Sequence, residues 1–169
     1  MSTDTEEMME MGTKPAKEHE WLQNLVGEWR IESEMSMEPG GPKMKSAGTA
    51  SCKSLGGLWA FSENNETMPN GLPNHSYFAL GYDVSFKEYR GCWLGSVSSH
   101  LWKYTGTLST EGKSMTLDCK GPSMVEDNKT ALYRDVIDLI DENHRTLTSY
   151  GQNNKGEWEE FMKADYFRV

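Results

Sequence analysis

The chain has 169 residues and a formal net charge of −9, with 11% aromatic residues and 16 glycines. That length suits one domain with a sizeable core, and the aromatic, glycine-rich balance suits an all-β domain better than a helical bundle. The negative charge opposes phosphate backbones and anionic lipid, which sets aside general nucleic-acid and membrane-surface binding.

Residues 1–14 are polar, acidic and rich in methionine, with Met8, Met9 and Met11 among glutamates. They read as a flexible leader ahead of a single β-barrel domain over 15–169. The leader lacks a basic region followed by an apolar run, so no secretory signal is expected, and no stretch reaches the roughly 20 apolar residues that span a bilayer. Pro15 suits the first turn of a helix. Trp21, Leu22, Leu25 and Val26 then fall on one stripe, and Gly27 ends the helix.

From Glu28 the period changes to two. Trp29, Ile31, Ser33, Met35 and Met37 share one face, and Glu28, Arg30, Glu32, Glu34 and Ser36 the other, the pattern of a half-buried antiparallel strand. Pro39-Gly40-Gly41-Pro42 turns the chain. A second strand over 44–54 puts the small residues Ser46, Gly48, Ala50 and Cys52 on one face, which leaves room for a cavity inside a barrel. Further strands are expected over 58–66, 75–82, 89–97, 101–108, 114–120, 130–140, 145–150 and 158–168. They are separated by breaker-rich segments such as Met68-Pro69-Asn70-Gly71 and Glu111-Gly112-Lys113. This regular spacing with no intervening helix argues for an up-and-down meander, and about ten strands close naturally into a barrel.

Cys52, Cys92 and Cys119 are odd in number and far apart, with no C-x-x-C pair, so reduced thiols, a cytoplasmic location and no metal site follow. There is no G-x-S-x-G and no P-loop. Neighbouring acids such as Asp138, Asp141, Glu142, Glu159 and Glu160 belong to turns or alternate faces rather than to a general acid/base pair.

Gly27-Glu28-Trp29 after a short helix resembles the calycin pattern of lipocalins and fatty-acid-binding proteins. That resemblance implies a structural closure in which Arg168, near the end of the last strand, packs over Trp29, a cation–π contact plugging the barrel. A more specific resemblance is carried by His19-Glu20-Trp21-Leu22, Val26-Gly27-Glu28-Trp29, Pro39-Gly40-Gly41-Pro42, Gly48-Thr49-Ala50, Leu55-Gly56-Gly57, Gly81-Tyr82-Asp83, Tyr104-x-Gly106-x-Leu108, Tyr133-Arg134-Asp135-Val136-Ile137 and Tyr166-Phe167-Arg168. In order and spacing over about residues 10–169 these are similar to the bacterial family known as domain of unknown function 1579. The resemblance implies a single antiparallel calycin-like, lipocalin-like barrel with a short N-terminal capping helix, and no established activity. Where the family often has an acid two residues after the fifth-strand Trp, Trp93-Leu94-Gly95 has glycine. Haem-binding relatives of this barrel class use a histidine late in the chain, and the last two expected strands contain none, so no cofactor is expected.

The chemistry left to place is aromatic. Trp59, Phe61, Phe78, Tyr82, Trp93, Trp102 and Tyr104 fall on central strands, where inward-facing members would line an apolar pocket with indole and hydroxyl handles. Arg134 shares a face with Leu132 and Val136; buried, it calls for a carboxylate partner such as Glu63 or an acid on a ligand. The leading expectation is a noncatalytic binder of a small apolar or amphipathic molecule. A second is an enzyme in the same cavity with His75 or His100 as base, and a third is a structural module that pairs with another copy of the chain.

Overall fold

In the computed structural model, which describes residues 12–38 and 40–169, the chain forms one N-terminal helix and ten strands. Most of the expected acidic leader, with Met8, Met9 and Met11, lies outside the described residues. The strands are β1 Gly27–Ser36, β2 Lys43–Leu55, β3 Trp59–Thr67, β4 Pro73–Asp83, β5 Glu88–Gly95, β6 Ser98–Leu108, β7 Ser114–Pro122, β8 Thr130–Asp141, β9 His144–Gln152 and β10 Trp158–Arg168. Each pairs antiparallel with its sequence neighbours, and β1 pairs with β10, so the sheet closes into a barrel without a free edge.

Register follows from the first strand. Trp29, Ile31 and Ser33 face inward and stand opposite Ala50, Gly48 and Ser46 of β2 and opposite Arg168, Tyr166 and Ala164 of β10. Carrying that parity around the ring turns Ala60, Ser62, Asn64 and Glu66 of β3 inward, and Tyr133, Asp135 and Ile137 of β8. Small residues on β2 are matched by close approach. A side chain at Gly48 would collide with the backbone of Asn65 and Glu66.

The helix is a 3-10 helix over Lys17–Leu25, shorter and tighter than the stripe of 15–26 suggests. The His19 ring closes its first turn, with Nδ1 accepting from Ala16 N–H at 2.8 Å. Trp21, Leu22 and Leu25 are buried beneath it. Two long-range hydrogen bonds and one local one strap it over one barrel end. Trp21 Nε1 donates to the Gly112 carbonyl at 2.9 Å, Tyr89 Oη to the Glu18 carbonyl at 2.7 Å, and Trp29 Nε1 to the Leu25 carbonyl at 2.9 Å. Gly27 joins helix to β1 at φ +133, in the space where Arg168 lies.

Strand ends differ from the sequence reading by up to three residues. The largest change is at β5–β6, where Gly95 pairs with Ser98 after an irregularity beyond Trp93. The hairpin is therefore tight, and Val97 sits in its turn rather than ending a strand.

The barrel is filled at the helix end and hollow at the other. Leu22, Leu25, Leu80, Met115, Leu117 and Ile137 are nearly inaccessible and pack as one core with Cys52, Ala60 and Tyr89. No helix among the described residues is long and apolar enough to cross a membrane.

Candidate functional site

The hollow half contains a cavity of about 330 Å³, at the small end of the range that holds small-molecule ligands. Its rim carries Met35, Met68, Val97 and Met162, and its floor meets the filled core at Ile137 and Arg145.

Two unlike walls enclose it. One is aromatic: Phe78 of β4, Trp93 of β5, Trp102 and Tyr104 of β6 and Tyr133 of β8 all line the space. These rings brace one another, Phe78 against Tyr104 at 6.1 Å between centroids and Trp102 edge-on to Tyr133 at 5.1 Å. The other wall is polar. Ser33 and Ser46 share a hydrogen bond at 2.5 Å, Ser62 donates to Asn64 Oδ1 at 2.7 Å, and Asn64 Nδ2 donates to Ser76 Oγ at 3.3 Å. These bonds satisfy one another, as buried polar groups must, and hold a rigid row of hydroxyls and amides across β1 to β4.

Two carboxyls and one guanidinium line the same space: Glu66, Asp135 and Arg145. Burial raises the Asp135 carboxyl above its ordinary value, against the smaller lowering effect of hydroxyls donated by Ser149 and Tyr104. The Tyr104 bond is 2.7 Å. Burial also raises Glu66, and it pushes the Cys119 thiol up to about 12, with Asp135 adding to the effect. Arg145 is shifted the other way, downward, because burial disfavours its charge.

Of the residues the sequence singled out, Phe78, Trp93, Trp102 and Tyr104 line the cavity together. Trp59 and Phe61 do not. The β2–β3 register turns Ala60 and Ser62 inward, leaving Trp59 43% exposed and Phe61 stacked on Tyr77 on the outer surface at 5.6 Å. Tyr82 faces inward but within the filled end, edge-on to Tyr89 at 4.9 Å and to His19 at 5.8 Å. Arg134 points outward, because Tyr133 and Asp135 occupy the inner face of β8. It is bidentate to Asp118 at 2.7 and 3.1 Å and stacked over Trp158, so Glu63 is not its partner.

Neither of the two histidines considered as bases lines the cavity, although the His100 ring stands edge-on to Trp102 at 4.8 Å. His75 contacts Glu63 on the outer surface at 2.8 Å, and His100 meets the Lys120 carbonyl at 3.1 Å. At the opposite end of the barrel, the Arg168 guanidinium lies 4.2 Å from the centroid of Trp29, and its Nη1 donates to the Val26 carbonyl at 2.6 Å.

A family model described as a protein of unknown function, DUF1579, matches residues 14–168. The chain belongs to that family. Among solved structures, the DUF1579 chain is similar in fold to Rv2717c from M. tuberculosis, at 13% identity and a TM-score of 0.63 over 91% of this chain and 98% of that one. It is also similar to the S-type phycobiliprotein lyase CPES from Guillardia theta, at 12% identity and a TM-score of 0.58 over 91% and 93% of the two chains. No curated protein matches it.

Glu66, Asp135 and Arg145 inside this DUF1579 barrel are not among the residues that the sequence pattern points to. Asp135 stands within Tyr133-Arg134-Asp135-Val136-Ile137, where both alternating sets mix polar and apolar residues. Arg145 follows a turn and precedes the nearly uniform Thr146, Leu147, Thr148 and Ser149. Neither segment signals a face by itself. The signal lies in counting register outward from Trp29.

Proposed function

We propose that this DUF1579 protein is a noncatalytic binder of a small amphipathic molecule held in the hollow half of the barrel. The observation that carries the reading is the pairing of an aromatic wall with a hydrogen-bonded serine and asparagine wall around one cavity of about 330 Å³. A dry core would fill that volume with aliphatic side chains at close packing. Lining residues held in place by their own hydrogen bonds and ring contacts give a largely pre-formed site, which lowers the ordering cost of binding.

Native mass spectrometry of the full chain purified from its own host tests this. A noncovalent adduct, lost on denaturation, is expected. Ser46→Leu, which extends an apolar side chain into the lumen, should reduce it. A bare chain mass from the host would overturn the reading.

A further inference from the structure

Two buried side-chain atoms among the described residues have no hydrogen-bond partner, Asn74 Oδ1 and Arg145 Nε. Both residues line the cavity. Asn74 stands at the start of β4, by the rim. Arg145 is at the floor, 6% exposed.

The surroundings of Arg145 supply no counter-ion. None of the ion pairs among the described residues involves it. Its guanidinium lies 3.9 Å from the Tyr166 centroid and 4.8 Å from that of Trp29. Such contacts act through the aromatic faces, whereas the N–H donors of a guanidinium lie in its own plane and need acceptors. Burial pushes the Tyr166 phenol to about 12 and the Cys52 thiol to about 11, so both are neutral near pH 7. Arg168, the nearest charge of the same sign, lowers Arg145 further. A buried charge is ordinarily paired, and here the space in front of it is the cavity.

We propose that Arg145 is the docking point for the carboxylate of a small amphipathic monocarboxylic acid, whose apolar body lies against Phe78, Trp93 and Trp102. This rests on the carrier reading above and adds the class of its cargo. The planar guanidinium fork matches a carboxylate. A dianionic phosphate fits less well, because the same cavity holds Asp135 and Glu66, and Arg168, the other cation against Trp29, is committed to the carbonyls of Val26 and Glu142.

Isothermal titration of the full chain at neutral pH with decanoate, 1-decanol and decyl phosphate tests the assignment. The wild type should bind decanoate about tenfold or more tightly than decanol, the effect of a hydrogen-bonded charge pair. Arg145→Met should bring decanoate to the level of decanol and leave decanol unchanged, and Arg145→Lys should recover part of the preference. Equal affinity for acid and alcohol, a preference that survives in Arg145→Met, or tighter binding of decyl phosphate each overturns the proposal and leaves the carrier reading standing. Binding of none of the three by the wild type overturns both. The wild-type comparison and Arg145→Lys decide the matter even where the methionine variant does not fold.

Discussion

The Tyr104 hydroxyl donates to the Asp135 carboxylate at 2.7 Å inside the barrel, joining the aromatic wall of the cavity to an acid that burial has pushed toward its neutral form. Ser149 donates to the same carboxylate. Tyr104→Phe removes one of these donors while preserving the ring. It should destabilise the protein by about 1–3 kcal/mol in urea unfolding, with Asp135 raised further.

The raised Asp135 also makes a signed prediction in pH. The folded state holds its proton more tightly than the unfolded chain, whose reference value is 3.8. The resulting stabilisation is therefore complete below that value and is lost as pH rises through the folded value. Asp135→Asn keeps an acceptor for Tyr104 and removes the titration. Its stability relative to wild type should grow from about pH 4 upward and then level off. Urea midpoints across the acid range check this, and a difference independent of pH would refute it. Glu66 is present in both proteins and cancels.

Trp29 is 1% exposed and lies against two guanidinium groups, Arg168 at 4.2 Å and Arg145 at 4.8 Å. Trp29→Ala should cost about 3–5 kcal/mol. A loss below about 1 kcal/mol in denaturant unfolding would remove the tryptophan from its place in the closure.

Gly121 lies so close to the Trp102 ring that an added Cβ would collide with it. Since Trp102 lines the cavity, Gly121→Ala should push the indole into the lumen. The expected results are a destabilisation of about 1–3 kcal/mol, an altered tryptophan emission and weaker retention of any bound mass. Unchanged emission would mean that the ring has another way to move.

Arg134 gives the opposite expectation. Its pairing with Asp118 is on the outer surface, where ion pairs contribute little. Arg134→Met should change stability by no more than about 1 kcal/mol and leave ligand retention unchanged. A large loss of binding would return this residue to the cavity.

The elements were legible because turn residues recur at every hairpin and because Trp29, Ile31 and Ser33 set an unambiguous alternation. Four of the five rings of the aromatic wall, Phe78, Trp93, Trp102 and Tyr104, were legible for the same reason, and Trp93 and Trp102 stand opposite each other on adjoining strands. On β3 the rule that large apolar side chains face inward inverted the strand. Trp59 and Phe61 are the most hydrophobic residues there, yet Ser62 and Asn64 face the interior, because this barrel wall is built from hydrogen bonds rather than from close-packed carbon. The buried Arg145 escaped for a related reason. A charge facing a cavity has no pattern in the local sequence, and only its position two strands from Trp29, across Tyr166, reveals it.

Nine of the ten strand pairings join neighbours in sequence, and one does not: β1 with β10, where Trp29 stands opposite Arg168. The hairpins can form locally, each closing a short loop at small entropic cost. The last joint must bring residues 27–36 to residues 162–168 across nearly the whole chain, and non-local pairings of this kind slow folding. The Trp29–Arg168 contact therefore sits on the latch of the ring, and weakening it should speed unfolding more than it slows the formation of the hairpins.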